Sequence, residues 1–225
     1  LISSLIASVT ASALMGQNSM FTPLSYSLNS PVELIFYLAL GVMTGVMGPF
    51  FVDNILAVKK LTKRFFKHHQ MMPILFSFLI VGLASLVTSE ILGNGLETVN
   101  KILQGEIVDL QLIIVLIILK FITCAFCYGA GISGGILMPV LFLGASIGAL
   151  FGYLANHTLG LSEIQLGAYA LVGMGAFFAS VIRTPFTSVI LVFEMTRDYR
   201  IILPLMLGNL VAYFVSSKIS HGSIY

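Results

Sequence analysis

Apolar positions in this chain gather into long runs parted by short polar breaks. The runs cover residues 1–15, 32–58, 73–91, 110–127, 139–154, 166–182, 186–195 and 201–215. Most have the length of membrane helices, and 32–58 is long enough to cross about 30 Å of hydrocarbon with tilt. The run 73–91 is expected to cross back and to end at Gly93, Asn94 and Gly95. Residues 96–103 read as a short amphipathic helix, 105–109 and 156–162 as polar turns. The span 166–182 carries Gly173, Gly175, Ala176 and Ala179, and Arg183-Thr-Pro185 interrupts it. The next run, 186–195, is too short to cross alone, and a charged turn at 196–200 leads to the last. Short, broken hydrophobic segments of this kind point to a transporter-type site near the bilayer midplane.

Composition agrees with the pattern. Of 225 residues 58% are hydrophobic and 9% charged, with a mean hydropathy of +1.03. These values exclude a soluble domain and imply an all-α, multi-pass integral membrane protein whose surroundings are the lipid bilayer. The net charge of +2 says little by itself. Leu1 is followed by no charged n-region and no cleavage site, so no signal peptide is expected, and the chain reads as a fragment forming a single membrane domain over 1–225. Lys59, Lys60, Lys63, Arg64 and Lys67, with His68 and His69, have no acid among them. The positive-inside rule places this loop, 59–69, in the cytoplasm. A nucleic-acid or anionic-lipid patch is the weaker alternative, and no nucleic-acid partner is expected.

Between two apolar runs lies an irregular stretch, Tyr128-Gly-Ala-Gly-Ile-Ser-Gly-Gly-Ile-Leu-Met-Pro139. Non-helical backbone at membrane depth is tolerated only where protein buries it or where it lines a wet cavity. Gly131, Gly134 and Gly135 permit positive φ, and Pro139 suits the first turn of a helix. A helix starting near Ile136 or Leu137 would turn its free N–H groups, and roughly half a positive charge, toward the loop. No Asp, Glu, Lys or Arg occurs between Phe121 and Ser162. An anion there would meet amides and hydroxyls but no fixed cation, which suits passage better than capture.

Other residues invite sharper readings. Gly131-Ile-Ser133-Gly134 fits the Gly-x-Ser-Gly pattern of intramembrane serine hydrolases, with Ser133 as nucleophile. The required base is the difficulty, since His68, His69, His157 and His221 all lie outside the apolar runs. Ser133 is better read as a small hydroxyl solvating an intramembrane turn, and no enzyme activity is expected. Cys124 and Cys127 form a lone C-x-x-C, favoured as packing positions at i and i+3; no metal site is expected. Lys120 interrupts an apolar run, and two roles stay open for it: attracting anions, or packing within the fold. Glu194 and Arg183 border helix ends and read as capping or interfacial pairs, and the methionines as packing.

The segment Gly131-Ile-Ser-Gly-Gly-Ile-Leu-Met-Pro139 resembles the G-x-F-x-P region of the CLC family of chloride channels and chloride/proton exchangers. Gly173-Met-Gly-Ala-Phe-Phe-Ala179, Arg183-Thr-Pro-Phe-Thr187, Glu194-Met-Thr196 and Tyr199 resemble later helices of that family in the same order, and 41–49 an earlier one. The resemblance covers essentially the whole chain, but only part of a CLC transmembrane unit. It implies one inverted-repeat half of a CLC-type bundle with broken and tilted helices. On that basis 1–20 would be the last helix of the first repeat, 31–217 the second repeat and 218–225 the start of the final pore segment. It further implies a homodimer with one pathway per subunit, completed by the N-terminal half of the same polypeptide. Chloride would be the ligand, no other cofactor being expected. The backbone N–H groups of Ile136 and Leu137 would bind it, Tyr225 would donate its hydroxyl, and Gly134, Gly135, Met138 and Pro139 would support the loop. Leu137 stands where the family usually has phenylalanine, which leaves the amide unchanged but alters a gate or pore width. The family's serine loop and gating-glutamate loop occur nowhere in this sequence.

Overall fold

The computed structural model describes residues 2–15, 21, 33–66, 71–107, 109–132, 134–159 and 166–219. Among these the chain is helical, with no strand. The helices are α1 (Ile2–Met15), α2 (Glu33–Phe65), α3 (Met72–Val87), α4 (Leu96–Leu103), α5 (Leu110–Gly129), α6 (Leu137–Leu159), α7 (Leu166–Ile182), α8 (Pro185–Thr196) and α9 (Ile202–Ile219). Single 3-10 turns at Ser89–Ile91 and Tyr199–Ile201 precede α4 and α9. By length and composition α2, α5, α6 and α9 with its preceding turn can each cross a membrane, while α3, α7 and α8 are shorter apolar helices.

Helix α7 is the centre of the bundle: every described residue from Gly167 to Val181 is buried. It lies against α6, α2 and α9, and the seams are made by small residues, because membrane helices gain from close backbone approach and not from expelling water. A methyl group on Gly144 of α6 would come 2.6 Å from the Gly173 carbonyl oxygen of α7, and one on Gly41 of α2 would come 2.7 Å from that of Gly208 in α9. The buried Ser188 and Ser216 hydroxyls and the Asn209 Nδ2 group are paired across these seams. Ser188 of α8 donates to the Gly175 carbonyl at 2.6 Å and accepts from Asn209 Nδ2 of α9 at 3.1 Å. Ser216 of α9 donates to the Ser180 carbonyl at 2.6 Å. In contrast, Leu5, Ile6 and Val9 of α1 are all exposed.

Three elements depart from the sequence expectation, the first being the turn expected at 156–162, which is helical through Leu159 as the end of α6. The basic segment expected as a loop at 59–69 is helical through Phe65, and Lys59, Lys60, Lys63 and Arg64 form the last turns of α2. Lysine and arginine are good helix formers, and their charge favours a helix C-terminus. Residues 67–70 lie outside the described residues. The span expected at 73–91 ends at Val87, since Thr88 is extended (φ −154°, ψ 133°) and its hydroxyl accepts from the Glu90 N–H at 3.3 Å. The 16 residues of α3 rise only about 24 Å.

Candidate functional site

Helix α5 approaches α2 closely at Gly129, where a methyl group would come 2.6 Å from Val58 Cγ1. Thr62 of α2 donates to the Gly129 carbonyl at 2.9 Å, so α5 ends at a fixed point. There the chain turns by a Schellman closure. Gly131 has φ +82°, its N–H donates to the Tyr128 carbonyl at 3.1 Å, and the Ile132 N–H donates to the Cys127 carbonyl at 3.2 Å. The glycine at 131 is therefore a conformational requirement. Gly135 lies outside the left-handed region, and methyl groups at Gly134 or Gly135 would meet open space. Both are exposed, so the loop presents bare backbone on that side. Tyr128 reaches across it, its hydroxyl donating to the Gly135 carbonyl at 2.8 Å. The sequence reading gave Tyr128 no role; its position one turn before the helix-ending glycine was the available signal.

Helix α6 begins as expected. The Ile136 carbonyl accepts the first bond of the helix, from the Val140 N–H at 3.2 Å, which makes Ile136 the N-cap residue. The N–H groups of Ile136, Leu137 and Met138 thus precede the hydrogen-bond ladder, and Pro139 has no N–H to offer. Ile136 is buried, and Leu137, Met138 and Pro139 are half-buried, so this end is seated in the bundle. Val140, Leu141, Phe142 and Leu143 are fully buried and anchor the first turns. The helix dipole and the N–H groups converge on the loop with no charged side chain from 121 to 159. The chemistry open to such an end is to accept an anion without an ion pair.

A cavity of about 210 Å³ adjoins the loop, lined in part by Lys120, Cys127, Tyr128, Ile132, Gly134 and Pro139. Lys120 is buried (4% exposed). Its Nζ donates to the Ile91 carbonyl at 3.0 Å and to that of Gly93 at 3.5 Å, and sits 4.7 Å from the Phe142 ring centroid. Of the two roles left open, the fold assigns this lysine to tying the turn before α4 onto α5 and α6. Cys124 is in the core and Cys127 half-buried, both as free thiols, the packing positions expected of them. Among the described residues no three His, Cys, Asp or Glu side chains come together.

Ser133 and Tyr225 lie outside the described residues, as do His68, His69 and His221. His157, at the far end of α6, is roughly 30 Å from Leu137 along the helix. Among the described residues, therefore, no histidine base stands beside the loop.

The family model described as voltage gated chloride channel matches residues 1–217. The H(+)/Cl(-) exchange transporter ClcA of Vibrio parahaemolyticus is 30% identical over 228 residues, covering 100% of this chain and 49% of its own length. Chloride channel protein CLC-f of Arabidopsis thaliana is 35% identical over 236 residues, covering 99% of this chain and 30% of its own. The crystal structure of a slow cyanobacterial Cl−/H+ antiporter shares the fold, with a TM-score of 0.88 and 24% identity over 98% of this chain and 52% of that one. The chain spans about half the length of the exchange transporters it matches. Because the family match runs from the first residue into α9, the chain belongs to the voltage gated chloride channel, or CLC, family of integral membrane proteins.

Proposed function

We propose that this chain supplies one wall of a chloride pathway, with the ion held by the backbone N–H groups of Ile136 and Leu137. The observation that carries the proposal is the start of α6. Its leading N–H groups face a bare-backbone loop inside a membrane bundle, in a stretch without charged side chains. Amides in low dielectric bind a halide and still release it, whereas a fixed cation would retain it. The relatives named above are an exchanger and a channel, and both names carry chloride. The complete protein accordingly conducts chloride or exchanges it for protons, and performs no covalent catalysis.

Under this proposal residues 1–20 close the first repeat, 31–217 form the second, and 218–225 begin the last pore segment, which brings the Tyr225 hydroxyl to the ion. The N-terminal half of the polypeptide completes the pathway, and two copies form a homodimer. The dimer fits the exposure of Phe186 and Ile190 on α8 and of Leu203 and Phe214 on α9. Gly134 and Gly135 keep the loop open, and Met138 and Pro139 complete the first turn of the helix. Crystals of the complete protein soaked in bromide test the proposal directly. An anomalous peak beside the N–H groups of Ile136 and Leu137 is expected, and its absence at saturating bromide refutes it.

A further inference from the structure

We propose that a crevice at the C-terminal end of α2 binds one anionic phospholipid, its acyl chain between α2, α3 and α5 and its headgroup held by the cations of α2. The crevice has a volume of about 300 Å³ and is lined by Leu61, Thr62, Phe65, Phe66, Phe76 and Phe126. The Phe76 ring stands 5.9 Å from that of Phe126 and 6.5 Å from that of Phe66, so three helices contribute one continuous aromatic wall. Its size is at the low end for ligand clefts, about 300–1,000 Å³, and suits one chain better than a bulky ring system.

Exposed apolar side chains on a membrane helix are ordinary lipid contacts. Concavity and charge distinguish this place. At 100° per residue, Leu61, Phe65, Thr62 and Phe66 fill one arc of α2. Lys59 and Lys63 follow on the Phe66 side and Lys60 and Arg64 on the Leu61 side, all four exposed. No Asp or Glu occurs between Asp53 and Glu90 or between Asp109 and Glu163, so the segments that build the crevice bring no carboxylate to these cations. Glu90 and Glu97, the next carboxylates along the chain, pair with Lys101. A zwitterionic headgroup carries its own cation, whereas a net-negative one leaves its phosphate to the ammonium and guanidinium groups.

The occupant would rest on the joint that carries the loop. Thr62, in the floor of the crevice, bonds to the Gly129 carbonyl two residues before Gly131, and Ser77 of α3 donates to the Phe126 carbonyl at 3.0 Å. The lipid site requires none of the anion-binding reading, and its test is read without transport.

In the full-length protein, freed of native tryptophans, Phe76→Trp places a fluorophore in the crevice. The protein is reconstituted into phosphatidylcholine vesicles with increasing fractions of dibrominated phosphatidylglycerol or dibrominated phosphatidylcholine. Quenching by the phosphatidylglycerol at fractions where the phosphatidylcholine is nearly silent is the expected result. K59Q/K63Q and K60Q/R64Q should each lower that preference, by roughly fivefold per charge removed, while K59R/K63R retains it. Equal quenching by both lipids would reduce the site to unselective lipid contact and overturn the proposal. Quenching by neither means that another part of the polypeptide or a second copy fills the crevice, which also overturns it. A preference that survives both charge pairs' removal, with circular dichroism unchanged, refutes the headgroup assignment.

Discussion

Alanine at Gly144 and alanine at Gly82 should act in opposite directions. Both glycines sit inside helices, where alanine gains up to about 1 kcal/mol in propensity. A methyl group on Gly82 meets nothing within 4 Å, so only that gain remains. On Gly144 it would lie 2.6 Å from the Gly173 carbonyl oxygen and 2.7 Å from Met174 Cα. Non-bonded carbon contacts relax at about 3.5–4.0 Å, so α6 and α7 must separate by about 1 Å. The opposing atoms are backbone and have no rotamer to escape into. The neighbouring contacts are equally tight: a methyl on Gly148 would strike the Tyr169 carbonyl. Overpacking costs about 1–3 kcal/mol, and with two backbone atoms inside 3 Å the upper part of that range applies, about 2–3 kcal/mol, which leaves a net loss of about 1–2 kcal/mol after the helix gain. Thermal unfolding of the full-length protein in detergent should rank Gly82→Ala at or above wild type and Gly144→Ala below it. Gly144 is about 10 Å along α6 from Leu137, so the same variant should also weaken bromide occupancy at the loop. A Gly144→Ala protein that unfolds no earlier than wild type would refute the close-seam account.

Three further outcomes are expected. Proline at Leu137 occupies the first helical position, where it is tolerated, but deletes an N–H; chloride affinity by calorimetry should fall about 10- to 150-fold, while Leu137→Ala stays near wild type. Ser188→Ala leaves Asn209 Nδ2 and the Gly175 carbonyl without their buried partner and should destabilise by about 1–3 kcal/mol in the same unfolding assay. Glu90 accepts from Lys101 at 3.0 Å and Thr98 at 2.8 Å, and the lysine contact first, then the threonine, lowers its pKa below 4.5. Its contribution is therefore complete above pH 4.5 and lost as pH falls through the depressed value, whereas Lys101, raised above 10.5 chiefly by Glu90, loses its contribution only on the alkaline side. The melting-temperature difference between wild type and Glu90→Gln should thus be constant from pH 7 to 5 and shrink as the pH is taken below 4.5.

Much of this arrangement was legible in the residues. Helices α4 and α7 fall where the apolar pattern placed them, 96–103 and 166–182, because a Gly, Pro or charged turn bounds each. The start of α6 at Leu137 followed from Pro139 and the glycines before it. What stayed hidden depends on contacts distant in sequence or on one local competition. Thr88 could have continued α3, and its hydroxyl bond to the Glu90 N–H tips the balance toward an extended residue. The basic end of α2 reads as a loop by polarity, yet Thr62 faces α5 and holds that turn in the helix. Ser133, read as a hydroxyl solvating the turn, and Tyr225, proposed to donate to the ion, fall outside the described residues.

The placement of cations bears most directly on how the loop can work. Lys120 is within the wall of the cavity beside the loop, and from its position in the run it could equally have faced an ion. Instead its donors are taken by the Ile91 and Gly93 carbonyls and its charge lies over Phe142. Those carbonyls end and follow a 3-10 turn, where the backbone lacks a helical ladder to supply donors. The remaining cations of the central region, Lys59 to Arg64, are gathered at the end of α2, where the crevice opens. Among the described residues the amides of Ile136, Leu137 and Met138 are left as the positive feature at the loop. Partial charges fixed by a helix fall off within its first turn, so the ion proposed at this loop would be attracted over a few ångströms and released beyond them. A lysine in the same place would hold its partner far more tightly, and the fold commits the lysine in the cavity wall to its own backbone.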